Sequence, residues 1–269
     1  VYAWIAGYGQ EPEYYALGIE AAGKVIGDPN YRLVDSPEEV CTEVLAGNSE
    51  EGIFEVCYDD NRGEYKDFGS YIGGTVEKWP VLKGTTPASR RKFFIRNETV
   101  ERLYTPEDLR LQAYFADFFR MKEEPVSVTQ GAAYVRMWRE VEYYSGGIYD
   151  GTPRTLLAND ILIRLPDILL LRAEMKAATG DREGAVADLD VVRRRAGVDG
   201  YSEAEGDLRR AIQLERDREL LFQTGVRYFD YMRNHTYNLL KGGFRDLTEA
   251  DVAAGALFLP DLDIEVLAF

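Results

Sequence analysis

Glu215 and Glu219 stand four residues apart in LRRAIQLERDRELLF, so a helix would set both carboxylates on one face, a spacing an acid/base pair could use. Glu174 lies in a second apolar stretch, ILLLRAEMKAA. The reaction such a pair suggests is glycoside hydrolysis, which needs one carboxyl with a raised pKa facing an open cleft. Neighbouring cations work against that requirement, because they favour the ionised form. Arg172, Arg193, Arg195, Arg216, Arg218 and Arg227 offer a cation for every carboxylate. The expectation is therefore a semi-buried ion-pair network between helices, with catalysis by Glu215 or Glu219 as the alternative.

Other chemistries narrow quickly. His235 is the single histidine, so any Ser-His or Cys-His nucleophile would have to use it, and its place in RNHTYN favours a surface or helix-end role. Cys41 and Cys57 cannot build a disulfide framework or a complete thiolate metal site; a chance pair and two free thiols both stay open. Nothing in the sequence calls for a metal or cofactor. A formal net charge of -15 argues against nucleic acid and against an anionic membrane surface, both of which select basic patches. No apolar run is long enough to span a bilayer. The 269 residues, 45% of them hydrophobic, can bury a core as one large domain or two small ones.

The elements that must position these groups follow from periodicity. VYAWIAG, residues 1–7, reads as the tail of a core helix whose earlier part is missing, with no signal-peptide features. Glu11 to Ile26 predicts a helix, with Tyr14, Leu17, Ala21 and Val25 at three- and four-residue spacings and Gly27-Asp28-Pro29 closing it. Tyr31 to Val34 reads as extended, Glu38 to Leu45 as a weaker helix, and EGIFEVCY as a well-covered strand. Residues 90–96 read as a short strand. In TPED, Thr105 is the expected N-cap and Pro106 the first-turn residue of a helix to Phe119, and residues 132–141 suggest a strand that packs Trp138 in the core. From Ile161 to Asn234 four helices are expected. Pro166 starts the first and Gly180 stops it; Asp181 caps the second, with Ala185, Leu189, Val192 and Ala196 inward and Gly197 at its end; the last two run over 207–222 and from Val226 into MRN. Two long glycine-rich, aromatic loops remain, at 59–84 and 142–153.

RLPDILLLRAEMKAATGDREGAVADLDVVRRRAGV followed by LERDRELLFQTGVRYFDYMRN resembles the SusD/RagB family of outer-membrane nutrient-binding lipoproteins. That family shows an R-x-A-D-x-L-L-x-x-A-E helix, an N-x-V-R-x-R-A-G helix and an E-R-x-x-E-L-x-F-E-x-G-x-R-x-x-D-L-x-R-W segment in this order. NSEEGIFEV, LYTPEDLRLQAYF and GALFLPDLDIEVLAF are similar to its further segments. Leu165-Pro166, Asp190, Gln223 and Asn234 depart from the family pattern at helix-packing positions.

The resemblance implies a mainly α, SusD-like fold: a helical, tetratricopeptide-like scaffold with long irregular loops and a few short strands. Residues 1–50 would be the end of the helical tetratricopeptide-like half and 51–269 the SusD/RagB C-terminal region, with the N-terminal part missing. It implies a non-enzymatic protein on the outer membrane's cell surface. A lipid anchor in the full-length protein would hold it there, where it captures a glycan or peptide nutrient and serves a TonB-dependent, SusC-like transporter. Aromatic rings stack on the C–H faces of sugars. Tyr65, Tyr71, Trp79, Tyr143, Tyr144 and Tyr149, all in the two loops, are therefore the expected ligand contacts. A glycoside hydrolase and a helical protein-interaction scaffold are the competing readings.

Overall fold

The computed structural model describes residues 1–57, 95–126, 131–133, 135, 137, 159–223, 226–236, 250–251 and 254. One helix gathers three others around it. This helix, α7 (Leu165–Thr179), starts with proline in its first turn, where a missing N–H leaves nothing unpaired, and ends on Gly180 at φ 88°, a left-handed cap that a side chain would strain. Packed along it are α2 (Tyr14–Ile26), α8 (Arg182–Arg195) and α9 (Leu208–Glu219). A short α1 (Tyr2–Gly7) leans on α2, and α10 (Val226–Arg233) packs on both α1 and α9. The structure is mainly helical, with few short strands.

The α7–α8 hairpin forms as its sequence predicts. The Asp181 carboxylate accepts from the Gly184 N–H at 3.0 Å, satisfying one of the first-turn donors. Ala185, Leu189, Val192 and Ala196 all point inward and are fully buried. Ala185, Leu189 and Val192 meet Leu169, Leu170 and Ala173 of α7 and Ile212 of α9 in one apolar cluster.

Where α2 meets α7 the pattern shifts by one residue. The predicted stripe of Tyr14, Leu17, Ala21 and Val25 is not the buried one: Leu17 is 46% exposed, while Gly18 and Ala22 are buried. Gly18 decides the rotation, because a Cβ there would lie 2.3 Å from Met175 Sδ, so the two helices approach where the side chain is absent. Gly18→Val should therefore cost about 1–3 kcal/mol, as overpacking does. Thermal melting checks this, and Gly18→Val paired with Met175→Ala should recover much of the loss.

A second apolar cluster forms around α3 (Pro37–Thr42), α4 (Asn97–Leu103), α5 (Leu109–Tyr114) and α6 (Phe118–Lys122). Val40, Val44, Val100, Tyr114 and Phe115 are its interior. Thr105 does not cap the helix expected at TPED; Asp108 does, accepting from the Arg110 N–H at 2.9 Å. The chain stays extended through Tyr104, so the helix begins at Leu109 and is short. The strand predicted at EGIFEVCY is β1 (Gly52–Val56), but it is not covered on both sides, since Phe54 is 55% and Val56 41% exposed. Strands β2 (Ile95–Arg96) and β3 (Ala132–Ala133) pair antiparallel, as β1 does with β4 (Asp160–Arg164). Trp138 lies outside the described residues, as do both aromatic loops.

Candidate functional site

The β1–β4 pairing sets Gly52 opposite Arg164, which brings Glu51 and Arg164 together. Arg164 Nη1 donates to Glu51 Oε1 at 2.6 Å, and Arg195 Nη1 of α8 donates to Glu51 Oε2 at 3.0 Å. Both arginines also reach Glu219 of α9, Arg164 at 2.6 Å. Arg110 of α5 completes the cluster. Its guanidinium forks onto Asp108 at 2.9 and 2.8 Å, and Nη1 donates to Glu215 at 2.6 Å and to Glu219 at 3.3 Å. Glu51, Arg110, Arg164, Glu215 and Glu219 are fully buried, deeper than the semi-buried network expected.

The electrostatics of Glu219 follow from the arginines around it. Burial alone would push the Glu219 carboxyl up, but Arg195, Arg164 and Arg110 outweigh it and hold the pKa down to about 2. Such a group keeps no proton to donate at neutral pH, and it is 0% exposed, so no substrate reaches it. Of the arginines that the sequence suggested, Arg195 pairs with Glu219 and Arg218 and Arg193 with Glu215, at 3.3 and 3.9 Å, while Arg110 and Arg164 join them from distant segments. Arg216 instead donates to Asp230 and Asp167, each at 2.6 Å, Arg172 holds Asp188, and Arg227 faces Asp217. Glu174 pairs through both oxygens with Arg233, at 2.6 and 2.8 Å, and its pKa is lowered despite burial. Together these pairs stitch α7, α9 and α10. The arrangement holds helices in register.

The sequence departures have local roles. Asp190 accepts from the Tyr201 N–H at 2.8 Å. Gln223, with its amide oxygen toward Arg164, accepts from Nε and Nη2 at 2.8 and 2.9 Å. Asn234 donates to the Asp230 carbonyl at 3.0 Å. His235 is exposed and approaches the Gly7 carbonyl at 3.2 Å, and Cys41 and Cys57 are both free thiols. Among the described residues no group of histidine, cysteine and acidic side chains could hold a metal, and no helix is long and apolar enough to cross a membrane.

Past the end of α9 the chain opens a cavity of about 770 Å³ between α4, α10 and β2. Leu220, Phe222 and Val226 give it an apolar side; Arg96, Thr99 and Arg102 give it a polar one. Phe222 adopts φ 61°, a backbone conformation in which a bulky side chain is strained, and its packing against the apolar cluster of α3–α6 holds it there. In the same lining the Asp217 carboxyl is raised from its ordinary value by burial, against the opposing pull of Arg227, and it accepts from Tyr231 Oη at 2.6 Å. Sequence reasoning missed this cavity. The three-residue spacing of Arg96, Thr99 and Arg102 is the one signal that could have pointed to it. Tyr65, Tyr71, Trp79, Tyr143, Tyr144 and Tyr149 all lie outside the described residues.

This is a helical scaffold with a solvent-excluded carboxylate–arginine core. The chain belongs to the SusD family, whose model matches residues 50–257. A SusD homologue from Bacteroides thetaiotaomicron superposes with a TM-score of 0.75 at 22% identity, over 96% of this chain and 53% of that one. The surface glycan-binding protein A of the same organism, in complex with laminarihexaose, gives 0.69 at 21% identity, over 99% and 60%. Its counterpart from Bacteroides uniformis gives 0.62 at 21%, over 97% and 52%. The chain thus spans little more than half the length of these proteins. No curated protein matches it in sequence.

Proposed function

We propose that the chain is part of a cell-surface binding protein that captures an oligo- or polysaccharide, performs no chemistry on it, and delivers it to a TonB-dependent, SusC-like transporter in the outer membrane. The observation that carries the reading is family membership, joined to a similar structure seen with laminarihexaose bound. The buried state of Glu215 and Glu219 supports binding over hydrolysis. A lipid anchor in the full-length protein would hold it at the surface. Residues 1–50 would end the tetratricopeptide-like half, and 51–269 would form the C-terminal region.

Tyr65, Tyr71, Trp79, Tyr143, Tyr144 and Tyr149 are the proposed ring contacts. Stacking of one ring on a sugar face is worth about 1 kcal/mol, so Trp79→Ala and Tyr149→Ala should each weaken binding several-fold in calorimetric titration of soluble glycans. Binding heat with peptides alone would move the cargo to peptides, and steady release of reducing sugar by the purified protein would overturn the binding-only reading.

A further inference from the structure

We propose that the cavity between α4, α10 and the end of α9 binds an anionic sugar, whose carboxylate or sulfate group is held by Arg96 and Arg102. The inference rests on the glycan-capture reading and names a cargo class for it. Its volume, about 770 Å³, lies within the range of small-molecule sites, about 300–1,000 Å³.

Charge balance carries the argument. Of the arginines lining the cavity, Arg216 is neutralised by Asp230 and Asp167 at 2.6 Å each, and Arg227 faces Asp217 at 3.4 Å. Arg96 and Arg102 are exposed and form no ion pair among the described residues. The chain has 47 acidic residues against 32 Lys and Arg, so two arginines in one lining that form no ion pair among the described residues run against its overall composition. A guanidinium presents parallel N–H donors that match the oxygens of carboxylate and sulfate alike. Thr99 sits between the two arginines, three residues from each, and brings a hydroxyl to the same wall. In the same lining, Leu220, Phe222 and Val226 offer apolar surface that suits the C–H face of a sugar ring. An apolar ligand would gain nothing from two arginines that form no ion pair among the described residues, whereas an anionic one would.

Calorimetric titration of the full chain tests this with three probes: an oligogalacturonate for carboxylate, a sulfated galactan oligosaccharide for sulfate, and laminarihexaose as the neutral partner. At least one charged probe should bind about tenfold or more tightly than laminarihexaose. Each of Arg96→Ala and Arg102→Ala should weaken it about tenfold, the loss of one charge-assisted contact. Both side chains are exposed, so circular dichroism should report an unchanged fold in the variants. Which charged probe responds identifies the group. Equal affinity for charged and neutral probes, or a charged probe that binds the double variant undiminished, overturns the proposal while leaving glycan capture standing. If none of the three binds the wild-type chain, and a wider glycan screen also fails, it is the glycan-capture reading that falls and this site with it.

Discussion

Glu219→Gln will lower the free energy of unfolding by about 3–5 kcal/mol, the cost of breaking a buried ion pair by removing one partner. Glutamine keeps the volume and one acceptor oxygen but removes the charge and turns an NH2 group toward guanidinium donors. Arg164 and Arg195 would then share Glu51 alone, and Arg110 would keep only Asp108 and Glu215. None of these groups can turn to water, since the side chains of Arg164 and Glu51 are 0% exposed. Urea unfolding measures the loss, with Glu20→Gln as the comparison, because its pair with Lys24 is open to solvent and should leave the transition unmoved. A Glu219→Gln protein within about 1 kcal/mol of wild type would contradict the role given to this cluster. The same variant separates the competing readings: a hydrolase would lose reducing-sugar release with its fold intact, whereas a structural glutamate takes the fold with it.

Acid will destabilise the protein through the same residue. Glu219 is held at about 2 in the fold, against an ordinary value of 4.5. A carboxyl with a depressed folded-state pKa contributes stability that is fully present above its unfolded value and is lost as the pH falls through the folded one. The window is therefore from about 4.5 down to about 2, and the Glu219 contribution is roughly 3 kcal/mol at about 1.4 kcal/mol per unit. Glu174 acts in the same direction: burial opposes the shift, and Arg233 outweighs burial. Asp217 acts in reverse, because burial raises it, and its smaller contribution is present at low pH and lost as the pH rises through the folded value. Urea midpoints measured from neutral pH down to about pH 2 should fall steeply in the wild type and less steeply in Glu219→Gln. Parallel curves for the two proteins would show that Glu219 is not the group being titrated.

The α7–α8 hairpin was legible because its signals are local. Pro166, Gly180, Asp181 and the stripe from Ala185 to Ala196 each act within a turn or two of helix. The helix stretches of α9 and α10 and the position of β1 were readable for the same reason. The errors arose where two distant segments decide together. Gly18 outranks Leu17 on α2 because Met175 of α7 lies against it, and Asp108 replaces Thr105 as a cap because its carboxylate also holds the Arg110 guanidinium.

By itself, then, the sequence determined the helical frame, the acidic charge and the prospect of buried ion pairs. Only the tertiary structure decided which arginine meets which carboxylate. Helical spacing reaches three or four residues, whereas Glu219 draws on Arg110 and Arg164, brought from α5 and β4 by packing. It also decided that Arg96 and Arg102 of the β2–α4 segment share a cavity with the end of α9 and form no ion pair among the described residues, since a cavity forms between elements and the spacing within one element does not show what faces it.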